Sequence, residues 1–195
     1  SNLKHSNEIY STGGESQPKW TSVGRAILKA DDDRNIISSN FEILDELDTG
    51  DKNVIKDFIN WANEKAPANN QSLTISGHSS GLYSITGDDG DDGTGSSLKI
   101  NELSKALDEL KDQEESIDIE VLKFDGCLTG TIEMAYPFRN LVDFTLGTEE
   151  VMSATSGNMD THLTILQDFP DKVSPKEFSS SIIRDYQNYL SIEAR

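Results

Sequence analysis

The feature of this chain that most constrains its fold is an alternation of two patterns. Short runs of β-branched and aromatic residues, typical of buried strands, alternate with longer segments whose apolar residues recur at helical spacing. Strands are predicted at 22–28, 73–76, 120–124 and 144–147, and helical patterns at 54–62, 100–110, 132–138 and 175–190. Such alternation favours a mostly parallel sheet covered by helices on both faces.

The first and last helical patterns carry signals for where a helix begins. Asp51 is suited to cap the first helix. At the last helix, Ser174 precedes Pro175 and stands three residues before Glu177, which is the spacing of a capping box with proline at the first helical position. The sequence therefore predicts that these helices begin just after residues 51 and 174.

Two predicted strands end in residues that can carry out covalent chemistry. The run 73–76 leads to His78, and the run 120–124 leads to Cys127. If these strands are neighbours, their carboxyl ends share one edge of the sheet, and a general acid or base lies beside a thiol nucleophile. The helix predicted after Cys127, at 132–138, would point its amino end at the sulfur and favour the thiolate. From the residues alone, a loop histidine and a buried structural cysteine remain the alternative.

Composition excludes several classes of protein. Cys127 is the only cysteine, so intramolecular disulfides and zinc sites built from several cysteines are excluded. The 17 basic and 35 acidic side chains give a net charge of -18, which argues against nucleic acid or an anionic membrane surface as a partner. Apolar runs fall short of the roughly 18 to 20 residues that a membrane span requires.

Six segments, in this order and spacing, make the chain similar to a known family. They are Phe-Ile-Asn-Trp at 58–61, Gly-His at 77–78, the pattern at 102–107, Phe-Asp-Gly-Cys-Leu at 124–128, Ile-Glu-Met-Ala-Tyr at 132–136 and Gly-Thr-Glu-Glu at 147–150. Together they resemble the clostripain-like cysteine peptidases, bacterial relatives of the caspases, gingipains and legumain, over about residues 20 to 170. The separation of 49 residues between His78 and Cys127 is similar to that in caspases. The resemblance implies a caspase-like three-layer α/β/α sandwich.

The resemblance also implies a cysteine endopeptidase that cleaves after arginine or lysine through an acyl-enzyme. Cys127 corresponds to the nucleophile, and His78 to the group that protonates the leaving amine. The backbone N–H groups of Ser79 and Cys127 would stabilise the oxyanion. Asp125 corresponds to the carboxylate of the S1 pocket, and Asp160, in the loop after the fourth predicted strand, falls near a second S1 acid. A carboxylate suits a basic P1 side chain; the alternative for Asp125 is a turn residue that binds local N–H groups.

Two other functions compete with this interpretation. The segment Gly-His-Ser-Ser-Gly at 77–81 fits the G-x-S-x-G motif of serine hydrolases, and Ser79, Asp143 and His162 occur in the order of their triad. That motif requires a helix directly after it, which the residues from Leu82 onward do not suggest. The other alternative is a non-catalytic domain with the peptidase fold that binds basic peptides or calcium, because Ser79 replaces the glycine usual in the family.

The segment 87–97 contains four aspartates, Asp88, Asp89, Asp91 and Asp92, among four glycines. Carboxylates around glycine turns suit calcium, and the resemblance implies frequent calcium dependence. The spacing does not match an EF-hand loop, and a solvated loop is the alternative. Calcium is therefore a candidate ligand here, and the chemistry itself is expected to require no cofactor.

The ends of the chain bear on its organisation. We interpret residues 1–19 as a polar N-terminal arm and residues 20–195 as the peptidase domain. Some elements usual in the family are not recognisable at either end, and the chain ends in Arg195, so an incomplete or processed domain that associates with further fragments of the same precursor is expected. The expected partners are proteins or peptides with a basic P1 residue, and the family suggests secretion or the bacterial cell envelope.

Overall fold

The computed structural model describes residues 9–10, 22–29, 36–37, 39–87, 96–152, 159–169 and 172–193. In chain order its elements are β1 (Ile9–Tyr10), β2 (Gly24–Ala26), β3 (Ile36–Ile37), β4 (Phe41–Ile43), α1 (Lys52–Lys65), β5 (Ser72–Ser76), β6 (Ser84–Ile85), β7 (Leu98–Lys99), α2 (Ile100–Lys111), β8 (Val121–Asp125), α3 (Ile132–Ala135), a 3₁₀ turn (Tyr136–Phe138), β9 (Phe144–Leu146), α4 (Met159–Asp168) and α5 (Pro175–Glu193). None of the described helices is long and apolar enough to cross a membrane.

A parallel sheet of three strands, in the order β5-β8-β9, lies at the centre of the described fold. β8 pairs in parallel with β5 on one side and with β9 on the other. The register places Ser76 opposite Asp125, so the carboxyl ends of β5 and β8 are level. This confirms the predicted parallel sheet and three of its four predicted strands.

Helices cover both faces of this sheet. Side chains alternate between the faces of a strand, and Leu122 and Phe124 of β8 enter the main apolar core together with residues of α1 and α2. Lys123 and Asp125 point the other way and line a space that α5 closes. The three-layer α/β/α arrangement is therefore confirmed, with a fully apolar core on the side of α1 and α2 and a partly polar layer on the side of α5.

Both predicted helix starts are confirmed in atomic detail. The Asp51 side chain accepts a hydrogen bond of 2.8 Å from the N–H of Asn53 at the start of α1. At α5, the N–H of Ser174 donates to Glu177 Oε2 (2.9 Å), and the N–H of Glu177 donates to Ser174 Oγ (3.2 Å). This reciprocal pair is the predicted capping box, which satisfies N–H groups that a helix leaves without internal partners.

The first predicted strand does not join the parallel sheet. It is shorter than the predicted range 22–28, and it pairs antiparallel with β4 as a separate two-stranded ribbon. Arg25 and Glu42 lie opposite each other there and form a bidentate ion pair with N–O distances of 2.9 and 3.0 Å. The sequence missed β4 because three residues are too few to show an alternating pattern. Within the described residues, the parallel sheet therefore has three strands and not four.

Candidate active site

The register of the parallel sheet brings His78 and Cys127 to the same edge. Ser76 and Asp125 are paired, and the two reactive residues each follow their strand by two positions. The N–H of Gly77 donates to the carbonyl of Asp125 (3.2 Å), which extends the pairing beyond the strand ends. The expectation that these two strands are neighbours is confirmed. The paired residues Ser76 and Asp125 are 49 residues apart, the same separation as His78 and Cys127, so the two reactive residues lie at the same level of the sheet.

His78 begins a tight loop and is exposed. Its carbonyl accepts a hydrogen bond from the N–H of Thr86 (2.7 Å), while the N–H of Ser80 donates to the carbonyl of Ser84 (3.0 Å). These bonds close residues 78–86 into a hairpin-like turn. The imidazole is thus presented at the sheet edge by a loop that is tied at both ends.

The same loop contradicts the serine hydrolase alternative. β6 follows Gly81, and residues 82–87 contain no helix, so the strand-turn-helix context of the nucleophile elbow is missing. Asp143 precedes β9 and so lies at the amino end of the parallel strands, opposite to the edge that carries Ser79. His162 lies 3.3 Å from Asp185 on α5. The predicted Ser79, Asp143 and His162 triad is therefore not assembled.

Cys127 is half-buried beneath the segment that follows β9. Its Sγ accepts a hydrogen bond from the N–H of Met152 (3.4 Å) and lies 3.9 Å from the carbonyl of the same residue. The N–H of Leu128 donates to the carbonyl of Glu150 (3.1 Å), and that of Gly130 to the carbonyl of Thr148 (2.8 Å). Segment 148–152 therefore runs antiparallel along residues 127–130, and its end contacts the thiol.

The backbone turns sharply just after the cysteine. Leu128 adopts a left-handed conformation with φ of 57°, which is uncommon for a residue with a Cβ and is frequent at functional sites. The helix predicted at 132–138 is confirmed: α3 begins at Ile132, capped by Thr131, and the 3₁₀ turn continues it to Phe138. Its dipole cannot contribute much at a sulfur that is separated from it by residues 128–131.

The two N–H groups expected to bind an oxyanion belong to Ser79 and Cys127. Within the described part of the chain, neither N–H donates a hydrogen bond to another protein group. Ser79 is not among the residues with positive φ, so a serine fits the position without backbone strain even though glycine is usual in the family. Both N–H groups are thus without an internal acceptor among the described residues.

Asp125 lines a cavity of about 490 Å³ between the sheet, α4 and α5. Its side chain is only 18% exposed. The other lining residues are Lys123, Phe124, Thr145, Leu146, Gly147, Thr148, Glu149, Met152, His162, Ile182, Ile183, Asp185, Tyr186 and Gln187. Neither His78 nor Cys127 lines this cavity, but Met152 does, and its backbone contacts the thiol. Met152 therefore connects the cavity to the thiol.

Lys123 is the residue of this cavity that the sequence analysis missed. It is 8% exposed, and its Nζ lies 3.3 Å from Asp125 Oδ1. A lysine inside an otherwise buried strand, in Val-Leu-Lys-Phe-Asp, is the signal that could have revealed it, because a buried ammonium group requires a partner.

The remaining predicted site residues lie at the border of the described structure or beyond it. Asp160 is in the first turn of α4, not in a loop as expected, and its side chain is outside the described part of the chain. Asp88, Asp89, Asp91 and Asp92 also lie outside the described residues. Among the residues that are described, no group of three or more His, Cys, Asp or Glu side chains could hold a metal ion. The calcium site stays a prediction from sequence.

A parallel sheet between two helix layers, with a histidine and a cysteine at the level ends of adjacent strands, is the arrangement of the caspase-like cysteine peptidase fold. Comparison with known proteins narrows this class. A sequence model of the clostripain family matches residues 21–194, and the chain belongs to that family. Among curated proteins, none is significantly similar to it in sequence.

Two solved structures share the fold. One is a secreted C11 cysteine protease from Bacteroides thetaiotaomicron in complex with an irreversible peptide inhibitor, with a TM-score of 0.62 and 19% identity over 83% of this chain and 43% of that chain. The other is an inactive zymogen C11 protease from Parabacteroides distasonis, with a TM-score of 0.57 and 17% identity over 86% of this chain and 44% of that chain. The chain spans less than half the length of either neighbour.

Proposed function

We propose that this protein is a cysteine endopeptidase that cleaves peptide bonds after basic residues. The observation that carries the proposal is the sheet register, which sets His78 and Cys127 two residues beyond the paired Ser76 and Asp125. Family membership supports the same chemistry. A thiol next to an acid or base at the carboxyl edge of a parallel sheet is suited to acyl transfer.

In the proposed mechanism, the Cys127 thiolate attacks the scissile carbonyl and forms a tetrahedral intermediate. The N–H of Met152 donates a hydrogen bond to the sulfur and helps to fix its position. The free N–H groups of Ser79 and Cys127 stabilise the oxyanion, each by about 3 kcal/mol. His78 gives a proton to the leaving amine, and water then hydrolyses the acyl-enzyme.

Preference for a basic P1 side chain is supported by the charge of the neighbouring cavity. Asp125, Glu149 and Asp185 line it, against Lys123 as the one lysine or arginine among its described lining residues. Carboxylates in a partly buried pocket favour a cation and leave a neutral side chain with unmatched polar groups. We therefore assign Asp125 to the S1 pocket.

Replacing each catalytic residue tests the reaction. Cys127→Ala and His78→Ala should each lower kcat/KM for fluorogenic Arg and Lys peptides by about 10³-fold or more, because residues that act as a unit each abolish most of the rate. His5→Ala, which changes a histidine in the N-terminal arm, should keep the wild-type rate. Iodoacetamide should inactivate the enzyme and a fluorophosphonate should not.

Specific results would contradict this proposal. Turnover that survives Cys127→Ala would exclude Cys127 as the nucleophile. Peptide binding without any turnover by the wild type would support the non-catalytic alternative instead.

The role of Asp125 has its own test. Asp125→Asn should lower kcat/KM for Arg and Lys peptides by about 10- to 100-fold, the usual worth of a hydrogen bond to a charged group, and should change a peptide with a neutral P1 residue much less. Asp143→Asn, at the opposite edge of the sheet, is the matched control and should change neither. An equal loss for basic and neutral substrates would assign Asp125 to local structure.

A further inference from the structure

A lysine lies inside the acid-lined cavity, directly against the proposed S1 carboxylate. Lys123 and Asp125 are two residues apart on β8 and therefore point to the same side of the strand. Lys123 is 8% exposed, and its Nζ lies 3.3 Å from Asp125 Oδ1. The strand backbone holds the pair together, so the contact does not depend on a mobile loop.

This contact is an attraction between charges more than a directed hydrogen bond. Asp125 Oδ1 is buried, and no donor among the described residues reaches it with hydrogen-bond geometry. The lysine thus neutralises part of the carboxylate charge and occupies the space beside the buried Oδ1. A ligand that enters this cavity meets an acid that already has a cation at one of its two oxygens.

We propose that Lys123 determines the P1 preference of this pocket and favours lysine over arginine. The inference rests on the proposed function, in which Asp125 is the S1 acid. Since Oδ1 is buried with Nζ beside it, Oδ2 is the oxygen left for an incoming side chain. An ammonium group needs a single acceptor, whereas a guanidinium gains most from both oxygens of a carboxylate at once.

The other two acids of the cavity do not replace the blocked oxygen. Asp185 Oδ2 lies 3.3 Å from His162 Nε2, and Glu149 is exposed, where ion pairs contribute little. A guanidinium that took both oxygens of Asp125 would have to displace Lys123. That would leave a buried ammonium group without its partner, which is strongly unfavourable.

The experiment compares kcat/KM for peptides that differ only at P1, with lysine, arginine or the uncharged arginine analogue citrulline. The wild-type full chain should prefer lysine to arginine. Lys123→Met keeps the apolar stem and removes the charge, so the Arg/Lys ratio of kcat/KM should rise by about tenfold or more. Lys111→Met is the matched control, because Lys111 pairs with Asp118 (3.1 Å) outside this cavity, and it should leave the ratio unchanged.

The outcomes separate this inference from the proposed function. If cleavage after basic residues depends on Cys127 but the wild type prefers arginine, or the ratio in Lys123→Met changes by less than about threefold, the inference is wrong and the proposed function stands. If no basic peptide is cleaved in a Cys127-dependent way, the proposed function is wrong and this inference falls with it.

Removal of Lys123 leaves Asp125 alone in a buried position, so the melting temperature of each variant is measured first. If Lys123→Met does not fold, competitive inhibition of the wild type decides. Stronger inhibition by n-butylamine than by n-butylguanidine supports the inference, since the two differ only in the cationic head. Stronger inhibition by the guanidine overturns it.

Discussion

Glycine at two positions allows the backbone to approach Cys127, the proposed nucleophile, closely. A Cβ on Gly147 would lie 2.6 Å from the carbonyl oxygen of Thr129 and 2.9 Å from the nitrogen of Gly130. A Cβ on Gly130 would lie 2.8 Å from the carbonyl carbon of Thr148. Real Cβ atoms do not approach backbone atoms so closely, so these glycines are what allow segment 148–152 to lie along residues 127–130 and place Met152 on the thiol.

Gly147→Ala should therefore destabilise the protein. The methyl group meets backbone atoms that cannot rotate away, and overpacking of this kind costs about 2 kcal/mol, or a fall in Tm of about 4–8 °C for a chain of this size. Gly87→Ala is the matched control, because its Cβ would meet the carbonyl oxygen of Ser96 at an ordinary 3.5 Å. Thermal unfolding of both variants measures the difference, and equal Tm values would show that the segment adapts to a side chain.

A single carboxylate links the two helices that cover the apolar face of the sheet. Glu109 of α2 is hydrogen-bonded by Lys52 and Lys56, which lie one helical turn apart on α1. The two ammonium groups lower the pKa of Glu109 to about 2. Because the folded pKa is below the unfolded value, the pair stabilises the protein above about pH 4.5, and this stabilisation is lost as the pH falls toward 2.

Glu109→Gln should reduce the amount by which the free energy of unfolding falls at acid pH. At pH 7 the variant should be modestly less stable than the wild type, since these pairs are exposed to solvent, and the deficit should close as the pH falls. Between about pH 4.5 and 2 the variant should lose less stability than the wild type, because it has no carboxylate to protonate there. Urea unfolding at a series of pH values measures this, with Glu115→Gln after α2 as the control. If the free energy of unfolding falls equally with pH in the wild type and in Glu109→Gln, the proposed stabilisation by the Glu109 ion pairs is wrong.

Elements with strong local signals could be predicted from sequence, and those that depend on tertiary pairing could not. A capping box predicts the start of α5, and continuous apolar runs predict β5 and β8. The predicted ends of these three elements lie within three residues of the observed ones. β4, β6 and β7 have only two or three residues each, and each pairs with a strand that is distant in sequence. Nothing in so short a run distinguishes a strand from a loop.

The candidate site was predicted to a similar extent. His78 and Cys127 stand out because each follows a strand-like run. Once the two strands are placed side by side in parallel, their carboxyl ends meet at one edge and bring the two residues to the same place. The neighbour of Asp125 could not be predicted in the same way. That Lys123 faces Asp125 and the cavity, and not the apolar core, follows from which face of β8 is covered by α5, and this is a tertiary property.

The charge of the whole molecule opposes its compact state. A net charge of -18 on 195 residues creates mutual repulsion that folding increases. Most ion pairs among the described residues join partly exposed side chains, which contribute little to stability, so they do not offset a field of this size. Long-range repulsion of this kind is screened by salt, since the Debye length is about 10 Å at 0.1 M ionic strength.

Thermal stability should therefore rise with ionic strength. At pH 7.5 we expect Tm to increase between about 20 and 300 mM salt, by about 2–4 °C for each kcal/mol of repulsion removed. Tetramethylammonium chloride is the test salt, because its cation is too large for a calcium-type site in segment 87–97 and any rise then reports screening alone. At pH 5, closer to the sequence pI of about 4.4, the net charge is smaller than at pH 7.5 and the rise should shrink. A Tm that stays constant or falls with salt at pH 7.5 would mean that local ion pairs outweigh the repulsion, and that the acids and bases of this chain are placed more favourably than their totals suggest.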